Sequence, residues 1–224
     1  MGAGFLSVSL SDVLDGLIGQ SERNVHELFE AARRHAPCVV FLDEIDAIGQ
    51  KRSHLRTSAW LRGTVNQLLA EMDGLADGNH GVFVLAATNH PWDVDVALRR
   101  PGRLDRMVLV VPPDEPAREA ILRFHLRERP IANIDVRQLA RATDGYSGAD
   151  LAYVCEGGAE RALLDSVSAG IPRLIEMRDL ERSIRDVKPS IGPWLETARN
   201  VAQFANEGGA YDDLLAYLRR RRLL

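Results

Sequence analysis

The chain has 224 residues, 46% hydrophobic and 27% charged, which suffices for one large domain or two small ones. Its formal net charge of −4 and pI near 5.9 carry no global nucleic-acid signal. Two cysteines are too few for a cysteine-built metal site, six scattered histidines show no HExxH or paired spacing, and no apolar run approaches the ~20 residues of a membrane span.

The elements follow in chain order. Residues 4–9 (GFLSVS) read as a short strand. From Ser21, a plausible N-cap, Val25, Leu28, Phe29 and Ala32 recur at helical spacing, and Pro37 blocks continuation beyond the helix. CVVFLD, starting at Cys38, is a nearly continuous apolar run, the pattern of a strand buried in a parallel sheet. A helix is expected over 58–73, ending near Gly74, and GVFVLAATN supplies another buried strand. MVLVV (107–111) reads as a further strand. At PPDEP (112–116) the strand signals cease, and helices are expected over 115–128, 135–143, 148–168, 177–187, 191–205 and 210–222. Ser147 and Asp150 have the capping-box form ahead of the third of these. Gly157 and Gly158 inside it each cost about 1 kcal/mol of helix preference, so packing must override them or the helix bends. The last helix places Tyr211, Leu214, Leu215 and Leu218 on one face. Strands alternating with helices, then helices alone, predict an α/β part followed by an all-helical part.

In open α/β sheets, ligands bind beyond the carboxyl ends of the strands. The strand at 38–43 runs into Asp43 and Glu44, the form of a Walker B element, in which the first acid holds Mg²⁺ and the second polarises a water. Taken alone, acids at a strand end equally cap the next segment. Asn89 ends the neighbouring predicted strand and could orient the same water. RRPGRLDR (99–106) sets Arg100 and Arg103 around a Pro-Gly turn expected to present both guanidiniums outward, where they suit charge on a transferring phosphoryl group. In a chain where only Lys51 and Lys188 of 28 basic residues are lysines, two surface arginines are the plain alternative.

The ordered set GQSERNV, PCVVFLDEIDAI, VNQLLAEMDGL, VLAATN, ALRRPGRLDR, PPDEPAREAIL and YSGADL resembles the AAA family of ATPases over about residues 4–187. The DVKPSIGPW tail is similar to the katanin and spastin branch. The resemblance implies a P-loop NTPase-type parallel sheet over 1–112, a helical lid over 115–187 and a C-terminal helical extension over 188–224. It implies ATP and Mg²⁺ as cofactors, Asp43 on the metal, Glu44 activating water and Asn89 as sensor. Arg100 and Arg103 would be fingers reaching a neighbouring subunit's nucleotide, so a homo-oligomer, a hexameric ring in the intact protein, is implied. His125 matches a position beside the adenosine, and Gly148 and Ala149 match backbone near the base. Leu17, Ile18 and Gly19 fall where the family has its pore loop, with Leu17 in place of the usual aromatic and Gly16 in place of a lysine. The expected substrate is a macromolecule, protein foremost. Nucleic acid is not expected as a partner, RRRR (219–222) reading as a complement to a helix dipole.

A P-loop reads GxxxxGK[ST]. Lys51 lies in GQKRS and Lys188 in DVKPS, neither after a glycine, so these 224 residues contain no such loop. By resemblance, that loop and the first strand of the sheet precede the strand at Gly4. The expected fold is therefore an incomplete parallel α/β sheet, lacking first strand and P-loop, followed by an all-helical lid. One expectation is that the loop lies upstream of Met1. The other is a degenerate member that folds with a partner and serves as a non-catalytic assembly module. With no signal-peptide pattern, and with Cys38 and Cys155 in apolar runs that favour free thiols, the protein is expected to be soluble and cytoplasmic.

Overall fold

The computed structural model describes residues 2–9, 19–47, 59–73 and 80–224. The chain divides into two compact units, residues 1–108 and 109–224.

Among the described residues of the first unit, the order is β1 (Gly4–Ser9), α1 (Gln20–Arg34), β2 (Cys38–Asp43), α2 (Ala59–Asp73) and β3 (Val82–Ala86). The strands form a parallel sheet in the order β1-β2-β3, with Gly4 opposite Cys38 and Cys38 opposite Val82. Alternation along the strands gives the sheet two unlike faces. Cys38, Val40 and Leu42 point to a core filled by Val25, Phe29 and Ala32 of α1 and by Val65, Leu68 and Met72 of α2. On the opposite face Phe5 and Phe83 are each 63% exposed, and Phe5 stacks on Phe41 with ring centroids 6.2 Å apart. The helices α1 and α2 are also joined by a polar cluster around buried Glu71. It accepts from Arg33 at 2.9 Å and Gln67 at 2.8 Å, and lies 2.6 Å from His26 Nδ1. Burial pushes the Glu71 carboxyl up, but these three partners outweigh that and hold it below its ordinary value.

Two expectations need correction. Helix α1 is not capped by Ser21: it starts at Gln20 after the N-cap Gly19, which has a left-handed φ of 82°, and Ser21 is buried in the first turn. A left-handed N-cap favours glycine over a β-carbon residue. The run 107–111 forms no strand among the described residues, although its composition suits one. A strand exists only against a hydrogen-bonded neighbour, and β3 pairs with β2 alone among the described strands. Met107, Val108, Val110 and Val111 are consequently exposed.

The second unit is helical: α3 (Glu115–Leu126), α4 (Val136–Ala142), α5 (Gly148–Ala169), α6 (Met177–Asp186), α7 (Gly192–Phe204) and α8 (Asp212–Arg220). Each lies where the sequence spacing predicts it. The predicted capping box at the start of α5 is present, Asp150 N donating to Ser147 Oγ at 3.1 Å and Ser147 N to Asp150 Oδ2 at 2.8 Å. The tail closes onto the same residue, since Ser190 donates its backbone N–H and its hydroxyl to Asp150 Oδ2. Arg221 of the RRRR run is not a free solvated cation: its Nη2 bridges both oxygens of Asp144. Gly157 and Gly158 do not break α5. A β-carbon at Gly157 would lie 2.6 Å from Ser183 Oγ and one at Gly158 2.5 Å from Leu180 Cδ2, so both glycines are where α6 crosses. Close packing offsets their helix cost. Both cysteines are free and buried, as their apolar surroundings predict.

Candidate functional site

Register alone assembles the polar end of the sheet. Ser9 is opposite Asp43, Leu42 is opposite Ala86, and the ladder continues through Ala87 N to Leu42 O and Ile45 N to Ala87 O. The carboxyl ends of β1, β2 and β3 therefore lie side by side. They bring Ser9, Asp43, Glu44 and the Thr88–His90 segment to one edge.

Asp43 and Glu44 are both exposed there. Asp43 Oδ1 accepts from the Glu44 backbone N–H at 2.9 Å. Glu44 has φ 54°, in the left-handed region, which a β-carbon residue adopts at a cost. That residue turns the chain out of β2 into the short 3₁₀ turn Ile45–Ala47, closed by Ala47 N to Glu44 O at 2.8 Å. The Glu44 carboxylate accepts from the Ser9 hydroxyl at 3.3 Å. The turn also swings Asp46 toward the neighbouring strand end. Asp46 Oδ1 accepts from Thr88 Oγ1 at 2.6 Å, and Asp46 Oδ2 lies 3.3 Å from His90 Nδ1. Exposed Asn89 is thus held between two residues fastened to one carboxylate. Sequence reasoning overlooked Ser9, Asp46, Thr88 and His90. The third acid of DEID, one helical turn past Asp43, was the available signal for Asp46.

The Pro-Gly turn behaves otherwise than expected. Arg100 is exposed, but Arg103 is not presented outward. Its Nε and Nη2 bond both oxygens of Asp73 at 2.6 and 2.5 Å, and its Nη1 bonds the Ala97 carbonyl at 2.6 Å. Arg103 holds the Asp73 carboxyl below the usual carboxylate range, with Arg100 adding a smaller effect. An arginine fork matches a carboxylate edge to edge, and Asp73 at the end of α2 offers that edge.

In the second unit, His125 is half-buried on α3 and meets Phe124 edge to face, centroids 5.2 Å apart. Gly148 and exposed Ala149 open α5, and a β-carbon at Gly148 would meet nothing within 4 Å. A helix N-terminus with open backbone suits a polar ligand. Leu17 and Ile18 lie outside the described residues; Gly19 is the left-handed residue that starts α1.

The hard oxygens of Asp43 and Ser9 at rigid strand ends suit Mg²⁺. No group of three or more His, Cys, Asp or Glu gathers into a metal cage among the described residues. No described helix is long and apolar enough to cross a membrane.

Comparison with known proteins agrees with this layout. Residues 1–111 match the model of the ATPase family associated with various cellular activities (AAA), and residues 133–182 match that of the AAA+ lid domain. The chain carries an AAA ATPase domain followed by an AAA+ lid domain. It is 39% identical over 200 residues to a cell division cycle protein 48 homolog of Archaeoglobus fulgidus, covering 84% of this chain and 27% of that protein. It is 42% identical over 190 residues to an ATP-dependent zinc metalloprotease FtsH of Caulobacter vibrioides, covering 81% of this chain and 29% of the relative. To the FtsH of Acidothermus cellulolyticus it is 51% identical over 162 residues, covering 70% and 24%. The chain thus spans less than a third of the length of these relatives.

Proposed function

We propose that this chain belongs to an ATP-hydrolysing subunit of an oligomeric machine that remodels protein substrates. The observation that carries the reading is the strand-end edge, where Asp43, Glu44 and the Asn89 segment converge and Glu44 holds a left-handed backbone. In this reading Asp43 would hold Mg²⁺, which when bound would supply charge neutralisation for the phosphates. Glu44 accepts the proton of the attacking water, with its carboxylate oriented by the Ser9 hydroxyl. Asn89 fixes that water from the neighbouring strand end. Arg100 meets the nucleotide of an adjacent subunit, which requires a ring, hexameric by family habit. His125, Gly148 and Ala149 contact the adenosine moiety. Leu17, Ile18 and Gly19 line the pore and touch substrate. The names of the relatives, a cell division cycle protein and ATP-dependent proteases, support ATP-driven work on proteins. The katanin–spastin likeness of the tail rests on DVKPSIGPW alone. Two buried free thiols support a reducing, cytoplasmic setting.

The test is Glu44→Gln in the full-length protein. It should bind ATP as the parent does and lose hydrolysis by about 10²-fold or more. Unchanged turnover would remove Glu44 from the reaction. The alternative reading is a non-catalytic assembly module. Both readings expect no micromolar ATP binding by residues 1–224 alone. They part on the full-length protein, where the module reading expects no ATPase activity at all.

A further inference from the structure

We propose that the C-terminal extension, residues 188–224, holds the segment 144–150 in its binding conformation, with Ser190 and Arg221 as positioning residues for the nucleotide contact at Gly148 and Ala149. The proposal rests on the ATPase reading above and adds a control on the same site. Gly148 and Ala149 lie between the two partners of the capping box, so the backbone they offer a nucleotide is set by Ser147 on one side and Asp150 on the other. One oxygen of Asp150 gathers three donors: Ser147 N at 2.8 Å, Ser190 N at 3.1 Å and Ser190 Oγ at 3.1 Å. Ser190 Oγ also lies 3.4 Å from Ser147 Oγ, so the extension touches both members of the box. Burial pushes the Asp150 carboxyl up, but its bonds from Ser147 and Ser190 outweigh that and hold it below its ordinary value. It stays an ionised acceptor at neutral pH, and a hydrogen bond to a carboxylate is stronger than a neutral one.

The rest of the segment is fastened as well. Buried Tyr146 donates its hydroxyl to Val187 O at 2.6 Å, and the same hydroxyl lies 3.0 Å from Ile184 O, at the end of α6. Only Lys188 and Pro189 separate that point from Ser190. Pro189 has a fixed φ and favours an extended residue before it, so this link is stiff. At the far end of the extension, Arg221 Nη2 bridges the two oxygens of Asp144 at 3.1 and 2.9 Å. Asp144 Oδ1 is also 3.3 Å from Nη1 of Arg118, which is buried and bonds the Ala140 and Pro113 carbonyls. The two ends of the extension therefore grip the two ends of one short segment, and the nucleotide-contacting backbone lies within it.

The experiment uses the full-length protein, with ADP affinity and ATP hydrolysis as readouts. Ser190→Ala with Arg221→Ala cuts both side-chain anchors and leaves the capping box in place. It should weaken ADP binding by about tenfold. Turnover at saturating ATP should stay within about twofold, so the loss appears in KM and not in kcat. Ser190→Thr with Arg221→Lys keeps a hydroxyl and a cation at the two anchors and should bind ADP within about twofold of the parent. Coupling is reciprocal, so bound ADP must in turn tighten the extension. In the parent, hydrogen exchange across 188–192 and 219–223 should slow when ADP binds, a response that a merely structural contact does not give. Unchanged ADP affinity in the alanine pair overturns the proposal, and so does an equal loss in the conservative pair. Exchange in the extension that ignores ADP overturns it without any substitution. A parent that binds no ADP refutes the ATPase reading and this control with it, an outcome distinct from a parent that binds ADP with an affinity indifferent to both anchors.

Discussion

The two units satisfy their polar backbone in opposite ways. In the helical unit each helix bonds its own carbonyls and amides, and the leftovers are met locally: Ser147 and Asp150 at α5, Asp135 at α4, Asp114 at α3. Its core of Leu122, Leu139, Leu151 and Leu180 is fully enclosed. The sheet unit has one enclosed face, while Phe5, Phe83 and Leu85 look outward from the other and β3 is an edge among the described strands. A helix closes its own hydrogen bonds, whereas a strand depends on what lies beside it. The unit with self-contained elements is the one whose spacing predicts its structure throughout.

That contrast can be broken most strongly at the α5–α6 crossing. Leu180→Ala removes a fully buried side chain above Gly158 and should cost about 3 kcal/mol, confined to the helical unit. Region-resolved hydrogen exchange checks it; equal loss of protection in α1 and α2 would deny the separation. Arg173→Ala should destabilise the same unit, because it leaves Asp179, 1% exposed, without its guanidinium. Arg173 holds the Asp179 carboxyl below its ordinary value. The unfolded carboxyl titrates near about pH 4, so the stability it contributes is complete above that pH. It is lost as the pH falls through the lower folded value. Denaturant midpoints between pH 6 and pH 2 should therefore fall less steeply in Arg173→Ala than in the parent. Asp150→Ala removes the reciprocal half of the α5 capping box, the bond from Ser147 N, together with the anchor of Ser190, for about 1 kcal/mol and faster exchange in 188–204. The smallest stability change is expected from Phe83→Thr, within about 0.5 kcal/mol, because its ring stands on the open face. Its effect should appear instead as weaker self-association in light scattering, and unchanged scattering would mean that this face does not drive association.

What was legible followed locality. The capping box lies within four residues, and the apolar face of α8, with Tyr211, Leu214 and Leu218 buried, repeats every turn. The strand 107–111 was misread because five apolar residues carry no information about a hydrogen-bonding neighbour. Asp43, Glu44 and Asn89 were legible as strand-end polar residues. Their supports were not: Ser9 and Thr88 reach carboxylates 35 and 42 positions away. Arg103 was read as outward-facing because its partner, Asp73, is 30 positions away at the end of a helix. Gly157 and Gly158 looked like a weakness until α6 supplied the reason for them.

Each unit also carries one concealed thiol, Cys38 on β2 and Cys155 on α5. Burial pushes the Cys155 thiol up to about 11, so little thiolate is present while its helix stays packed. A thiol-selective reagent would then modify each position at the rate at which its own surroundings open. The unaltered chain thereby contains two chemical clocks, one for the sheet and one for the bundle, readable by mass from a single sample.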